Sequence, residues 1–145
     1  MTETDTANAQ APRQIVTFKI GEQTFGVPVD GVREIKGWQP TTSIPNAEPH
    51  VLGVINLRGQ VIAVYDLRIR LERAASERDK ASVVIVVDSD GRNIGILADA
   101  VSDILDVTSG ELRPPPLAAN ENSLIDALVV KGDEVIPLID IARVA

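Results

Sequence analysis

One local pattern, used four times, constrains this chain more than any other: a strand-length apolar run, a turn, and an apolar return. Ile15-Val16-Thr17-Phe18-Lys19-Ile20 turns at Gly21-Glu22-Gln23 and comes back through Thr24-Phe25-Gly26-Val27. Val54-Ile55-Asn56-Leu57 turns at Arg58-Gly59 and comes back through Gln60 to Tyr65. Ser82 to Val87 turns at Asp88-Ser89-Asp90-Gly91 and returns through Asn93 to Leu97; Leu128 to Val130 turns at Lys131-Gly132-Asp133 and returns through Val135 to Ile139. Such spacing predicts antiparallel hairpins, and Gly59 supplies the positive φ that a tight turn needs. Aromatic residues are only 3%, so the core must be built from Val, Ile and Leu, whose branched side chains favour a pleated surface. The chain therefore reads as all-β, and short strands with frequent turns point to small barrels, which leave few open edges.

The remaining segments fit between these hairpins. Residues 1–13 are small and polar and read as a disordered tail, with neither the basic start nor the apolar stretch of a signal peptide. Pro40, Pro45 and Pro49 break the segment after Val32, Ile35 and Trp38, and Glu48 to Leu52 is expected to make one helical turn. Asp66 is expected to cap a short helix through Leu71, Glu72 to Lys80 to form a charged connector, and Asp140 to cap a last turn. The two parts of the chain can be laid on one another. Gly26, Val32 and Ile35 match Gly95, Val101 and Ile104 at one constant offset; Gly59 and Asp66 match Gly132 and Asp140 at two slightly larger ones. This predicts an internal duplication, with halves 14–80 and 81–145 each a small barrel.

Composition removes several classes of function. A net charge of −7 is a poor match for phosphate backbones, and the absence of cysteine removes disulfides, thiolate metal sites and thiol nucleophiles. No apolar run approaches the length needed to span a bilayer. His50 is the one histidine; it lies in a loop, with no Gly-x-Ser-x-Gly elbow to accompany it. Asp88-x-Asp90-Gly91 starts like a calcium loop but lacks the later ligands, so it reads as a hairpin turn. Arg68-x-Arg70-x-x-Arg73 is interrupted by Glu72 and reads as a solvated helix face. Asp99, Asp103 and Asp106 would share a face if helical, but with Val101, Ile104 and Val107 nearby they read as solvated carboxylates on a mixed strand-and-turn segment; a small acidic metal-dependent hydrolase using Asp99 and Asp103 is the alternative they leave open. No cofactor motif is present.

Arg58 is the residue of most interest. A guanidinium on a stiff two-residue turn can pair with carboxylates or carbonyls of a partner, though on residues alone the plain turn arginine is the better reading. Around it, Gly53-x-x-Asn56-Leu57-Arg58-Gly59 followed by Asp66-Leu67-Arg68 resembles the central signature of the CheW family of chemotaxis coupling proteins. Phe25-Gly26-Val27, Val32-x-Glu34-Ile35, Ile44-Pro45-Asn46-Ala47, Gly95-Ile96 and Val101-x-x-Ile104-Leu105 fit the same family in order, across a domain of residues 14–145.

The resemblance implies two Src-homology-3-like five-stranded β-barrel subdomains with short helical turns and a groove between them. It implies a non-enzymatic, stand-alone adaptor in the cytoplasm, recruited to membrane-associated receptor arrays without inserting in the bilayer. Its implied partners are the regulatory domain of the CheA histidine kinase and the cytoplasmic tip of methyl-accepting chemoreceptors. By position, Val32, Gly53, Arg58, Val101 and Ile104 would lie near the receptor groove and Glu34 toward the kinase. The valines and isoleucines also read as barrel core. A CheW-like scaffold of a different chemosensory pathway, with motility or second-messenger output, is the second alternative.

Overall fold

The computed structural model describes residues 14–68, 82–114 and 124–144. The strands are β1 (Gln14–Ile20), β2 (Gln23–Pro28), β3 (Val32–Gly37), β4 (Val51–Leu57), β5 (Gln60–Tyr65), β6 (Val83–Ser89), β7 (Arg92–Ala98), β8 (Ala100–Asp106), β9 (Leu112–Arg113), β10 (Ile125–Lys131) and β11 (Glu134–Ile139). Three single 3-10 turns accompany them: η1 (Val29–Gly31), η2 (Ser109–Glu111) and η3 (Ile141–Arg143). All four expected hairpins form, as β1–β2, β4–β5, β6–β7 and β10–β11.

Two sheets result, in the order β8-β1-β2-β11-β10-β9 and β3-β6-β7-β5-β4. Each closes on itself through one bent stretch of chain. In the first, β8 pairs with β1 at one edge, and the chain then bends through η2 so that β9 pairs with β10 at the other. In the second, β3 pairs with β6, and the chain continues until Thr42 bridges Val54 of β4, with N–H···O distances of 2.9 Å in both directions. Closure of this kind satisfies edge N–H and C=O groups that would otherwise invite pairing with other chains.

The boundary between the barrels differs from the expectation. The sheets cut across halves 14–80 and 81–145: the β1–β2 hairpin joins β8–β11, and β6–β7 joins β3–β5. A sequence pattern cannot distinguish these arrangements, because both halves carry the same hairpin and either could fill the same place. Residues 1–13, most of the proposed helix after Asp66, and the connector to Lys80 lie outside the described residues. The turn expected over Glu48 to Leu52 is shorter than expected: the Val51 N–H donates to the Glu48 carbonyl at 2.9 Å, but Val51 and Leu52 already open β4, where the ladder to β5 outweighs local propensity. Asp140 does cap η3, its side chain accepting from the Ala142 N–H.

Burial explains the apolar runs. Ile55, Leu57, Ile62, Val64, Val84, Val86 and Leu97 fill the second barrel, with Trp38 against them. Ile15, Val107, Val129, Ile136 and Leu138 fill the first. A third cluster lies between the barrels and is built from the other faces of both hairpins: Val16, Phe18 and Ile20 of β1 meet Ile85, Val87, Ile94 and Ile96 of β6 and β7. Strands β1 and β6 are thus buried on both faces, which is why Val83 to Val87 is a continuous apolar run rather than an alternating one.

Candidate functional site

The surface beside this shared core is framed by β3 and β8, the strands that follow the two hairpins at their heart. Each strand carries a bulge, at Arg33 and at Ser102, where the register shifts by one residue. The shift has a geometric consequence. Val32 stands opposite Val87 and Ile35 opposite Ile85, two residues of the same sheet face; Val101 stands opposite Phe18 and Ile104 opposite Val16, likewise. The extra residue restores Val32 and Ile35, three apart in sequence, to one face, and Val101 and Ile104 to one face. Because Ile85, Val87, Val16 and Phe18 all belong to the shared core, these four side chains extend that core toward solvent. Val32 and Val101 are half-buried against it, while Ile35 and Ile104 are 43% and 57% exposed.

Arg58 is fixed by its turn. Its φ of 54° and the φ of 88° at Gly59 put both central residues in the left-handed region that a right-twisted hairpin requires. The Asn56 side chain accepts from the Gly59 N–H at 2.8 Å and holds the turn in that form. The guanidinium then reaches across to Glu34 on β3 in a two-point pair, Nη2 to Oε1 at 2.8 Å and Nη1 to Oε2 at 3.0 Å. The Arg58 hydrogen bond holds the Glu34 carboxyl below its ordinary range, and the same bond raises Arg58. Next door, Arg33 pairs with Asp88 at 2.6 Å, and Asp88 also accepts from the Gly91 N–H at 2.8 Å. Strand β3 is therefore tied to one hairpin turn by Arg33 and to another by Glu34.

The residues implied for the receptor and the one implied for the kinase are therefore neighbours, with Arg58 and Glu34 as each other's ion partners. Gly53 is different. It is buried, with φ 153°, and a Cβ added there would lie 2.6 Å from the Thr42 carbonyl oxygen. Its local role is to let the barrel-closing segment lie directly on β4. Ile35 was missing from the sequence-derived set, although the duplication that matched it to Ile104 was a signal that could have found it.

Other sequence readings change in the structure. Arg68 is not on a solvated face: its side chain is 5% exposed and pairs with Asp66, Nη2 to Oδ2 at 2.6 Å and Nε to Oδ1 at 2.9 Å. The Asp66 hydrogen bond raises Arg68. Arg70 and Arg73 lie outside the described residues. His50 is half-buried and stacks on Tyr65 at 5.4 Å, and its carbonyl accepts from the Asp66 N–H. The acidic run is on an edge strand and the residue before it, as the strand-and-turn reading expects. There the Asp99 carboxylate accepts from the Gly21 N–H at 2.6 Å, and that of Asp103 from the Ile104 N–H at 2.8 Å. Asp90 and Gly91 form the expected hairpin turn, and both take positive φ there.

Comparison with known proteins places this geometry. A family model described as the CheW-like domain matches residues 14–145. The chain is 44% identical over 109 residues to a protein named "Chemotaxis protein CheW" of Rhizobium meliloti (strain 1021), covering 75% of this chain and 70% of that protein. It is 32% identical over 133 residues to a protein of the same name from Klebsiella aerogenes, covering 90% and 80%. Among solved structures, the scaffolding protein TtCheW of Thermoanaerobacter tengcongensis superposes with a TM-score of 0.83 at 28% identity, over 90% of each chain.

Proposed function

This chain belongs to the CheW-like domain family, and from that premise we propose that it is a non-enzymatic chemotaxis adaptor coupling the CheA histidine kinase to methyl-accepting chemoreceptors. The observation that carries the reading is the paired apolar margin, Val32 with Ile35 and Val101 with Ile104, standing out from the shared core beside a rigidly held Arg58. Apolar side chains on stiff strands suit the apolar face of a helix, and little entropy is lost when they dock. The receptor's cytoplasmic tip, a helical hairpin, is the partner for this margin. The regulatory domain of the kinase docks on the Glu34 side of β3. An adaptor of this kind acts without bond chemistry: it holds two partners in a geometry in which receptor state biases kinase state. It works in the cytoplasm, recruited to receptor arrays.

The test is binding to each partner separately, by pull-down and titration calorimetry. Ile104→Asp should abolish capture of a receptor-tip fragment and leave capture of the kinase regulatory domain intact. A folded Ile104→Asp protein that binds the receptor fragment as well as the unsubstituted chain would remove this reading.

A further inference from the structure

The two apolar margins carry the same side chains at the same spacing, but their charges differ. Aligned on the valine, β3 runs Val32-Arg33-Glu34-Ile35-Lys36-Gly37 and β8 runs Val101-Ser102-Asp103-Ile104-Leu105-Asp106. The valine, the isoleucine and one acid recur. Around them β3 has Arg33 and Lys36, whereas β8 has no cation and gains Asp106. The β3 segment therefore carries a charge of +1 and the β8 segment a charge of −2.

Ion pairing leaves that difference in place. Arg33 is taken up by Asp88 and Glu34 by Arg58, so Lys36 is the charge left over beside Ile35; among the described residues it has no ion partner. On β8 the Asp103 carboxylate accepts from the Ile104 N–H at 2.8 Å, and that of Asp106 accepts from the Gln14 side-chain amide at 3.0 Å. Lys131 reaches this strand, but it donates to the Asp106 carbonyl at 2.7 Å and pairs with Glu111 at 3.0 Å. Neither carboxylate has an ion partner among the described residues, and both residues are exposed. Lys19, opposite Ala100, and Asp99 offset one another where β8 begins. Asp106, opposite Gln14, shares the face of Ile104, opposite Val16; Asp103 and Lys36 lie on the reverse faces, opposite Thr17 and Val84. Both strands stand at an end of their sheet, so charges on either face border the margin.

We propose that this docking surface is electrically polarised and takes a receptor helix of matching polarity, its basic flank against Asp103 and Asp106 and its acidic flank against Lys36. Two margins with the same valine and isoleucine give little preference between a helix lying one way along them and the same helix turned end for end. Turning the helix exchanges its flanks, so the charges choose the direction. Complementary charge at the edge of an apolar contact fixes orientation in this manner, and it excludes partners of the wrong sign. The inference rests on the adaptor reading and adds to it which chemical groups the receptor presents to each strand.

The test exchanges the polarity and keeps everything else. Lys36→Glu combined with Asp103→Lys leaves the net charge at −7 and both apolar pairs in place. Circular dichroism checks folding, and titration calorimetry measures binding of the receptor-tip fragment at low and high salt. The exchanged protein should bind about tenfold more weakly at about 50 mM salt, and the gap should close to about twofold at about 500 mM, where exposed charges are screened. Should it fail to fold, Lys36→Gln with Asp103→Asn removes both charges with less disturbance and should give a loss of about threefold at low salt. Equal binding by the charge variant and the unsubstituted chain at low salt would overturn the polarity and leave the adaptor reading standing. An unsubstituted chain that fails to bind the fragment at either salt would remove both.

Discussion

Replacing Gly53 with alanine tests how the second barrel is closed. The residue holds φ at 153°, and the new Cβ would lie 2.6 Å from the Thr42 carbonyl oxygen and 3.0 Å from the Thr41 side chain. Neither obstacle is the free end of a flexible side chain, so the closing segment must move. Two hydrogen bonds depend on its place: Thr42 N–H to Val54 O and Val54 N–H to Thr42 O, both 2.9 Å. Backbone strain at a glycine-favouring φ costs about 1–3 kcal/mol, and losing each backbone bond about 1 kcal/mol. The sum is about 3–5 kcal/mol, which for a domain of this size corresponds to a fall in Tm of roughly 10 °C or more. Thermal melting followed by circular dichroism gives the total, and hydrogen exchange at the Thr42 and Val54 amides gives its location. Gly132→Ala is the control. Its φ is also positive, at 60°, but nothing lies within 4 Å of a Cβ there, so it should cost only about 1 kcal/mol. An unchanged Tm for Gly53→Ala, with both amides still protected, would refute the closure argument.

The charged residues give three further expectations. Arg58→Glu should leave the dichroism spectrum intact and weaken partner capture in a pull-down, while Glu34→Lys should weaken kinase capture more than receptor capture; joining the Glu34→Arg and Arg58→Glu changes should restore the ion pair without restoring either partner contact. The Glu34 carboxyl should titrate below the ordinary glutamate range by nuclear magnetic resonance and return to it in Arg58→Gln. Because the pKa is lowered in the folded state, its stabilising effect is present above the unfolded-state pKa and is lost as pH falls through the lowered folded value. Arg68→Leu should cost about 3 kcal/mol or more by urea unfolding, because it removes the two-point guanidinium contact from the Asp66 carboxylate in a nearly buried site, and Arg68→Leu combined with Asp66→Asn should recover part of that loss.

The hairpins were legible in the sequence because each rests on local chemistry: branched side chains on strands, and glycine or an acidic residue at the turn. The Asp140 cap was legible for the same reason. Long-range choices were not. Which half supplies the β1–β2 hairpin depends on the docking of two nearly equivalent surfaces, and no window of sequence contains that comparison. Arg68 was misread because a run of charges is ordinarily solvated, and only the fold brings its guanidinium back onto Asp66. Val51 and Leu52 were misread as a helical turn because their pairing with β5 is formed at a distance. Most of the candidate site came from family resemblance, and the structure adds its geometry: the bulges that align the apolar pairs, and the Arg58–Glu34 contact that makes two assigned faces adjoin.

The most direct test of the two-faced adaptor is reconstitution of the chain with a receptor-tip fragment and the kinase regulatory domain together, followed by sedimentation velocity. A ternary species should form, and Ile104→Asp should reduce it to the binary complex with the kinase domain. Binding of the two partners that is mutually exclusive, with no ternary species at any ratio, would contradict it.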